Sequence, residues 1–180
     1  MAIIRCFSIA LVLTLFSVST VQAEPFVLKE VPGAVYFSPS GNGQQAIVAQ
    51  INQAKQTILV QAYSFTAEPI AKALLEAHKR GVKVQVILDK SQRSEKYTSA
   101  TFMANSGIPT FIDDAHAIAH NKVMILDGET VITGSYNFTK AAEEKNAENL
   151  LILKSRELAK MYTENWHNHL KHSEPYSARN

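Results

Sequence analysis

The feature that most constrains the fold is a strand, helix, strand pattern in the first half of the chain. The stretches "TILVQAYSF" (Thr57 to Phe65) and "VKVQVILD" (Val82 to Asp89) are both rich in strand-forming residues. Between them, apolar residues such as Ile70 and Leu74 recur at helical spacing until Gly81 ends the helix. Two strands joined by one helix usually pair in parallel with a right-handed crossover. The pattern therefore predicts an α/β domain.

The rest of the chain contains further elements of both kinds, and neither an internal repeat nor a long linker divides it. We therefore predict one domain over residues 24–180, built on a mixed β-sheet flanked by helices. The further predicted elements are a turn-rich loop at Tyr36 to Gly43, helices at Gln45–Lys55 and Ser94–Asn105, strands at "IPTFID", "HNKVMILDG", "TVITGSYNF" and Asn149–Leu153, and a C-terminal helix with a stripe of Leu158, Tyr162, Trp166 and Leu170.

Residues 1–23 have the pattern of a secretory signal peptide. Arg5 supplies a positive start, an apolar run follows from Phe7 to Val18, and small residues precede a cleavage point after Ala23. The run is too short and too interrupted by serine and threonine for a membrane anchor, which needs about 20 apolar residues. We therefore expect a periplasmic or secreted protein with no stable membrane association.

Cleavage after Ala23 would leave 157 of the 180 residues and would remove Arg5, lowering the net charge from +2 to +1. A chain so balanced can bind a polyanion only through a local basic patch. Cleavage would also remove Cys6, which is the single cysteine of the sequence. The mature protein is therefore expected to fold without a disulfide.

Polar residues recur at regular intervals within two apolar stretches, "HNKVMILDG" and "TVITGSYN". Side chains alternate in a strand, so His120 and Lys122 are predicted to share one face and Asp127 the other. The dipeptide Asp127-Gly128 is a strong hairpin signal. A turn centred on it would place Ser135 opposite His120, whereas a turn at Gly128-Glu129 would place Ser135 opposite Lys122. Either turn predicts that Ser135 and Asn137 lie on the face of His120 and Lys122.

Such a patch suits a phosphate group. Lys122 supplies a positive charge, and Ser135 and Asn137 supply neutral hydrogen-bond donors. His120 can attack or transfer a proton near neutral pH. The patch contains neither a carboxylate cluster nor a Cys/His set, so its chemistry needs no metal and no cofactor.

The spacing His120-x-Lys122, Asp127 and Gly134-Ser135-x-Asn137 resembles the HKD motif of the phospholipase D superfamily. The likeness extends over most of the mature chain, including "AYSFT" and "NAEN", and is strongest to the small secreted bacterial endonucleases of the Nuc type. The resemblance implies a two-step hydrolysis in which one histidine forms a phosphohistidine while a second protonates the leaving oxygen.

This chain contains one HKD motif, so the resemblance implies a homodimer in which two subunits share one site on a two-fold axis. It also implies that Glu148 accepts a hydrogen bond from the His120 ring and fixes its tautomer. Asp127 and Gly134 are expected to give structural support and to carry no proton.

Other histidines and basic residues are weaker candidates. His167 and His169 in "WHNHLKH" lie about 200° apart on a helix and cannot share a metal, so we interpret them as a polar helix face near a frayed end. His116 and His78 are also expected to have no function. The loop "DKSQRSEK", with Lys90, Arg93 and Lys96, contacts a phosphate backbone or is simply solvated, and the sequence favours neither.

The favoured hypothesis is a metal-independent endonuclease that hydrolyses DNA, or RNA, with little sequence preference. A phospholipase D-type phosphatidyl hydrolase or transferase is the alternative from the same superfamily, although we see no amphipathic helix with a strongly apolar face and a basic rim. The third hypothesis is a non-catalytic phosphate-binding module, which would need Lys122 and Ser135 but neither His120 nor Glu148.

Overall fold

The protein is described by a computed structural model that covers residues 25–95 and 98–177. The predicted signal peptide and Lys96 lie outside these residues. The described chain forms one eight-stranded sheet with five α-helices and one 3-10 helix at Lys90–Arg93. The strands are β1 Gly33–Phe37, β2 Thr57–Ala62, β3 Lys83–Asp89, β4 Thr110–Asp113, β5 Lys122–Leu126, β6 Thr130–Gly134, β7 Asn149–Lys154 and β8 Ser173–Pro175, and the α-helices are α1 Gly43–Gln53, α2 Glu68–Lys79, α3 Ala100–Asn105, α4 Lys140–Glu144 and α5 Arg156–Leu170.

The sheet is mixed, as predicted, with strand order β1-β7-β6-β5-β2-β3-β4-β8. β2, β3 and β4 are parallel, which confirms the pairing expected from the strand, helix, strand pattern. All other pairs are antiparallel. The single HKD-like hairpin, β5 and β6, therefore lies in the middle of the sheet, where both neighbours fix its position.

Helices cover both faces of the sheet. Buried residues of α1, α2 and α3 share one apolar cluster with Val60 and Met124 of the central strands. Their sequence neighbours Leu59 and Ile125 belong to a second cluster, on which α5 packs. This separation is the alternation expected of strands that are buried on both faces.

Helix α5 confirms the predicted stripe. Leu158 and Trp166 are buried, and Tyr162 and Leu170 pack against the same cluster. The Ser155 hydroxyl caps the first turn by accepting a hydrogen bond from the Leu158 N–H at 3.2 Å. The Trp166 indole N–H donates to the carbonyl of Val60 at 2.9 Å, which anchors the helix to the central strand β2.

The sequence-based prediction missed four elements, β1, the 3-10 helix, α4 and β8. β1 includes the first residues of the segment expected to be a loop, and it pairs with β7 at the edge of the sheet. Its apolar residues Val35 and Phe37 are exposed, so no buried face produces a regular pattern. The helix expected at Ser94–Asn105 is shorter than predicted, since α3 begins at Ala100.

Among residues 25–95 and 98–177, no helix combines the length and the apolar character needed to span a bilayer.

Candidate active site

His120 lies two residues before β5, in an exposed position at the end of the segment that follows β4. It is therefore not part of the strand, which is a correction to the prediction that His120 alternates with Lys122 within one strand. The segment is held by Asp89, a buried residue at the end of β3, whose carboxylate accepts the Ala119 N–H at 2.7 Å. This contact fixes the backbone beside His120.

The hairpin register differs from both predicted alternatives. Leu126 pairs with Thr130 and Met124 with Ile132, so Lys122 would face Gly134 and not Ser135. Asp127 and Gly128 do form the centre of the turn, with φ of 53° and 63°, but Glu129 adds a third residue between the paired positions. With this odd loop length, continued alternation would turn Ser135 away from the face of Lys122.

Regular alternation does not continue to Ser135, because β6 ends at Gly134 with φ of +147°. A Cβ at this position would lie 2.3 Å from the carbonyl oxygen of Asn149. That oxygen accepts hydrogen bonds from the N–H groups of Ser135 and Tyr136, at 3.1 and 3.2 Å. The break in the strand redirects the chain and brings Ser135 and Asn137 to the site after all.

The result is a pocket of about 370 Å³, here called the motif pocket, beside the ends of β5, β6 and β7. It gathers all the catalytic and phosphate-binding candidates of the sequence together with Gly134. Its lining residues are His120, Lys122, Gly134, Ser135, Asn137 and Glu148.

The ammonium group of Lys122 is the central charge of the pocket. Its Nζ donates to the His120 carbonyl at 2.6 Å and lies 2.9 Å from His120 Nδ1. Because an ammonium group only donates, Nδ1 is the acceptor and the hydrogen of the neutral ring lies on Nε2. Burial lowers the pKa of Lys122, and the nearby Glu148 carboxylate partly opposes this shift.

Glu148 lies in the pocket but does not contact the His120 ring, which corrects the expectation from the resemblance. Its carboxylate accepts the Ser135 hydroxyl at 2.7 Å and the Asn146 amide at 3.1 Å. The Ser135 hydroxyl in turn accepts the Asn149 N–H at 3.1 Å. Within this single subunit, Glu148 therefore orients Ser135, and Lys122 sets the tautomer of His120.

Asp127 is absent from the pocket lining. Its carboxylate accepts three backbone N–H groups, from Lys55, Gln56 and Thr57, at 2.8 to 2.9 Å. Partial burial acts to raise the pKa of this carboxyl, but the three hydrogen bonds keep it below its ordinary value. The contacts tie the β5–β6 turn to the start of β2.

Sequence reasoning missed two residues that contact the site. The Tyr63 ring lies 4.4 Å from the His120 ring between centroids, and Lys122 Nζ lies 5.2 Å from the centre of the Tyr63 ring. Asp89 supports the approach to His120, as described above. Both residues lie at or just beyond the carboxyl ends of parallel strands, where sites commonly form, and this is the signal that could have identified them.

The remaining candidates lie elsewhere. Lys90 Nζ donates to the His116 carbonyl at 2.9 Å, and Arg93 pairs with Glu174 at 2.6 Å, so both basic side chains have partners within the chain. His167 is exposed on α5, as predicted. The prediction was wrong for His169, which is half-buried and contacts Asp113 at 2.7 Å.

Comparisons with known proteins identify the family of the chain. The family model described as "Cardiolipin synthase, PLD-like domain" matches residues 47–170. The "Phospholipase D" of Rickettsia felis is 43% identical over 132 residues, which is 73% of this chain and 66% of that protein. The "Mitochondrial cardiolipin hydrolase" of Xenopus tropicalis is 31% identical over 61% of this chain and 52% of its own length.

Among solved structures, the phospholipase D family member Nuc from Salmonella typhimurium aligns with a TM-score of 0.79 and 40% identity. The alignment covers 82% of this chain and 99% of that chain. The chain therefore belongs to the phospholipase D superfamily. It spans just under two thirds of the length of the Rickettsia felis relative.

Proposed function

We propose that this protein is a metal-independent endonuclease that hydrolyses the phosphodiester bonds of DNA, or of RNA, with little sequence preference. The observation that carries the proposal is the lining of the motif pocket. All six lining residues are polar or glycine, and they combine one ammonium group with several neutral donors. This composition suits a phosphodiester, and none of the lining residues is an aliphatic one of the kind that packs against an acyl chain.

Lys122 and His120 are proposed to act as a unit. An incoming phosphate draws the Lys122 ammonium from His120 Nδ1, because a full negative charge is the stronger hydrogen-bond acceptor. Because His120 is exposed, solvent water can take the proton from Nε2 while another water molecule gives one to Nδ1, and the lone pair freed on Nε2 attacks phosphorus. The P–N bond forms as the P–O bond to the leaving oxygen breaks, and water later hydrolyses the phosphohistidine.

The leaving oxygen needs a proton from a second acid, and the described residues of the motif pocket offer only one histidine. We propose that the second is His120 of another copy, with the two pockets joined on a two-fold axis. Ile118, two residues from His120, supports this because its side chain is 57% exposed. In the proposed dimer Ile118 would be buried between the two subunits instead of facing solvent.

Hydrolysis of lipid phosphodiesters is the second candidate. It is favoured by the names of the Rickettsia felis and Xenopus tropicalis relatives, and by the exposed Ile118, which could meet a lipid surface. The polar pocket lining argues against it.

We also propose that the protein acts in the periplasm or outside the cell after cleavage behind Ala23, which N-terminal sequencing of the exported protein would test.

The decisive assay compares the parent protein with His120→Ala and His167→Ala on plasmid DNA in excess chelator at 25 °C. His167 is the matched control because its ring is exposed on α5 and bonds only to the carbonyl of Thr163 in its own helix. We expect the parent and His167→Ala to nick and degrade the plasmid and His120→Ala to lose at least about 1000-fold in rate.

Equal cleavage by His120→Ala would contradict the catalytic assignment. Absence of cleavage by all three proteins, followed by release of head groups from phosphatidyl lipids by the parent, would establish the lipid alternative. Binding of DNA without hydrolysis of either substrate would identify a phosphate-binding module. Circular dichroism in chelator would confirm that the proteins remain folded during the assay.

A further inference from the structure

A second cluster of chemically active side chains lies outside the motif pocket. Asp113 ends β4, His116 follows in the next loop, His169 lies in the last turn of α5, and His172 directly precedes β8. We call these four residues the histidine cluster. None of them lines the motif pocket, so the proposed hydrolysis does not explain their convergence.

The four side chains converge closely. One potential ligand atom from each residue lies within 4.8 Å of those of the other three. Around the Asp113 carboxylate, His116 Nδ1 lies at 3.0 Å, His169 Nδ1 at 2.7 Å and His172 Nε2 at 3.5 Å. Donors of a tetrahedral zinc ion with bonds near 2.0 Å are separated by roughly 3.3 Å. The measured separations are therefore within small side-chain movements of a coordination shell.

The burial of the cluster is graded from inside to outside. The Asp113 side chain is fully buried, that of His169 is 14% exposed, and those of His116 and His172 are 45% and 38% exposed. Burial alone would raise the pKa of Asp113, but hydrogen bonds from His169 and His116 bring it below its ordinary value. The buried carboxylate thus lies behind two rings that are open to solvent, so an ion can approach it from outside.

We propose that Asp113, His116, His169 and His172 bind one divalent transition-metal ion, with zinc as the ion that fits best. Three imidazoles and one carboxylate make a closed four-donor set of nitrogen and oxygen, as found in tetrahedral zinc sites. Imidazole-rich sets favour zinc, copper or nickel over magnesium and calcium, which prefer oxygen. The outer rings rotate toward the ion as it replaces the hydrogen bonds to Asp113.

The position of the site indicates a structural role. The ion would join the end of β4 to the C-terminal turn of α5 and the start of β8, which lie more than fifty positions further along the chain. It would also fix His116, at the start of the segment that leads to His120. In a mature chain expected to lack cysteine, such a metal bridge substitutes for a covalent crosslink.

The test uses the purified full protein, stripped with chelator, dialysed and titrated with zinc alone against a chromogenic competitor. The variants are His116→Gln and His172→Gln, whose exposed positions tolerate substitution, and the matched control is His167→Gln, an exposed histidine of α5 outside the cluster. Circular dichroism checks the fold of each, and if one cluster variant fails to fold, the other carries the comparison. Thermal unfolding with and without zinc gives a second readout that is independent of activity.

We expect about one zinc per chain in the parent and in His167→Gln, with at least tenfold weaker binding in His116→Gln and His172→Gln. Zinc at about 100 times its Kd should raise the Tm of the parent by about 5 to 10 °C, and magnesium should leave it unchanged. A parent that binds no zinc, or a cluster variant that binds it as tightly as the parent, would overturn the proposal. An equal loss in His167→Gln would overturn it as well.

Discussion

Among single residues, the contact between Lys122 and His120 is central to the proposed hydrolysis. The ammonium group uses two of its three N–H donors on the ring and the carbonyl of His120, which leaves one for a phosphate oxygen. The residue proposed to bind the phosphate therefore also sets the tautomer of the His120 ring. Loss of this charge should affect hydrolysis more than stability.

We expect Lys122→Met to reduce hydrolysis by about 100- to 1000-fold, because methionine keeps much of the apolar stem but removes the charge that stabilises the transition state. Lys83→Met, at an exposed lysine of β3, is the matched control and should retain the parent rate. Initial rates on a short oligonucleotide would measure both. A Lys122→Met hydrolysis rate within a few-fold of the parent rate would show that the charge does not contribute to catalysis.

The same residue predicts the alkaline pH dependence. Burial lowers the Lys122 pKa, so the cation is present at low pH and is lost as pH rises through a value below 10.5. The parent rate should therefore fall with a midpoint below that of an ordinary lysine. A rate that remained constant to pH 10.5 in a protein shown to be folded would contradict this assignment.

At the scale of elements, the β5–β6 hairpin determines whether the motif residues meet. The three-residue loop would place Ser135 on the wrong face, and the strand break at Gly134 reverses that effect. Two local irregularities thus cancel each other. Either the three-residue loop or the strand break, if present alone, would move Ser135 away from the face of Lys122.

We expect Gly134→Ala to destabilise the protein by about 2 kcal/mol or more, because the new Cβ meets the Asn149 carbonyl at a φ that favours glycine. It should also reduce hydrolysis by displacing Ser135. Gly128→Ala is the matched control, since its φ is also positive but its Cβ would meet nothing within 4 Å, and it should cost about 1 kcal/mol. Urea unfolding and hydrolysis rates would compare the two. Equal losses in both variants would show that the close approach to Asn149 has no effect.

The sequence predicted elements well where a pattern reflects burial. β2, α2, β3 and α5 carry strong apolar periodicity and were placed within a few residues. β1 and β8 were missed because edge strands lack a consistently buried face, and α4 is only five residues long. The motif positions were gathered as predicted, but the turn length and the φ of Gly134 are backbone properties that residue types alone did not determine.

The sequence also did not predict contacts between residues that are distant along the chain. His116 and His169 lie more than fifty positions apart, so no local spacing indicates that both contact Asp113. Local spacing also failed to indicate the partner of Glu148, which accepts a hydrogen bond from Ser135 and not from the His120 ring. Contacts between distant segments depend on sheet order, which the sequence constrained only in part.

At the scale of the whole molecule, the proposal requires two copies of the chain. We expect Ile118→Asp to shift the protein to a monomer and to reduce hydrolysis by at least tenfold, because a charge is placed in an apolar interface beside His120. Val27→Asp is the matched control, since Val27 is 71% exposed and should change neither property. Sedimentation at the assay concentration would report both. A fully active Ile118→Asp monomer would contradict the shared site.

A subunit-mixing measurement tests most directly whether two copies of the chain share one site. Parent protein is exchanged with a ninefold excess of His120→Ala subunits, or of His167→Ala subunits as a control, and hydrolysis is measured per parent subunit. If each site needs a His120 from both copies, only parent–parent pairs are active, so activity per parent subunit should fall to about one tenth with His120→Ala. With His167→Ala, whose own subunits are active, activity per total subunit should equal that of the parent. Activity per parent subunit that is unchanged by His120→Ala would show that one chain carries a complete site.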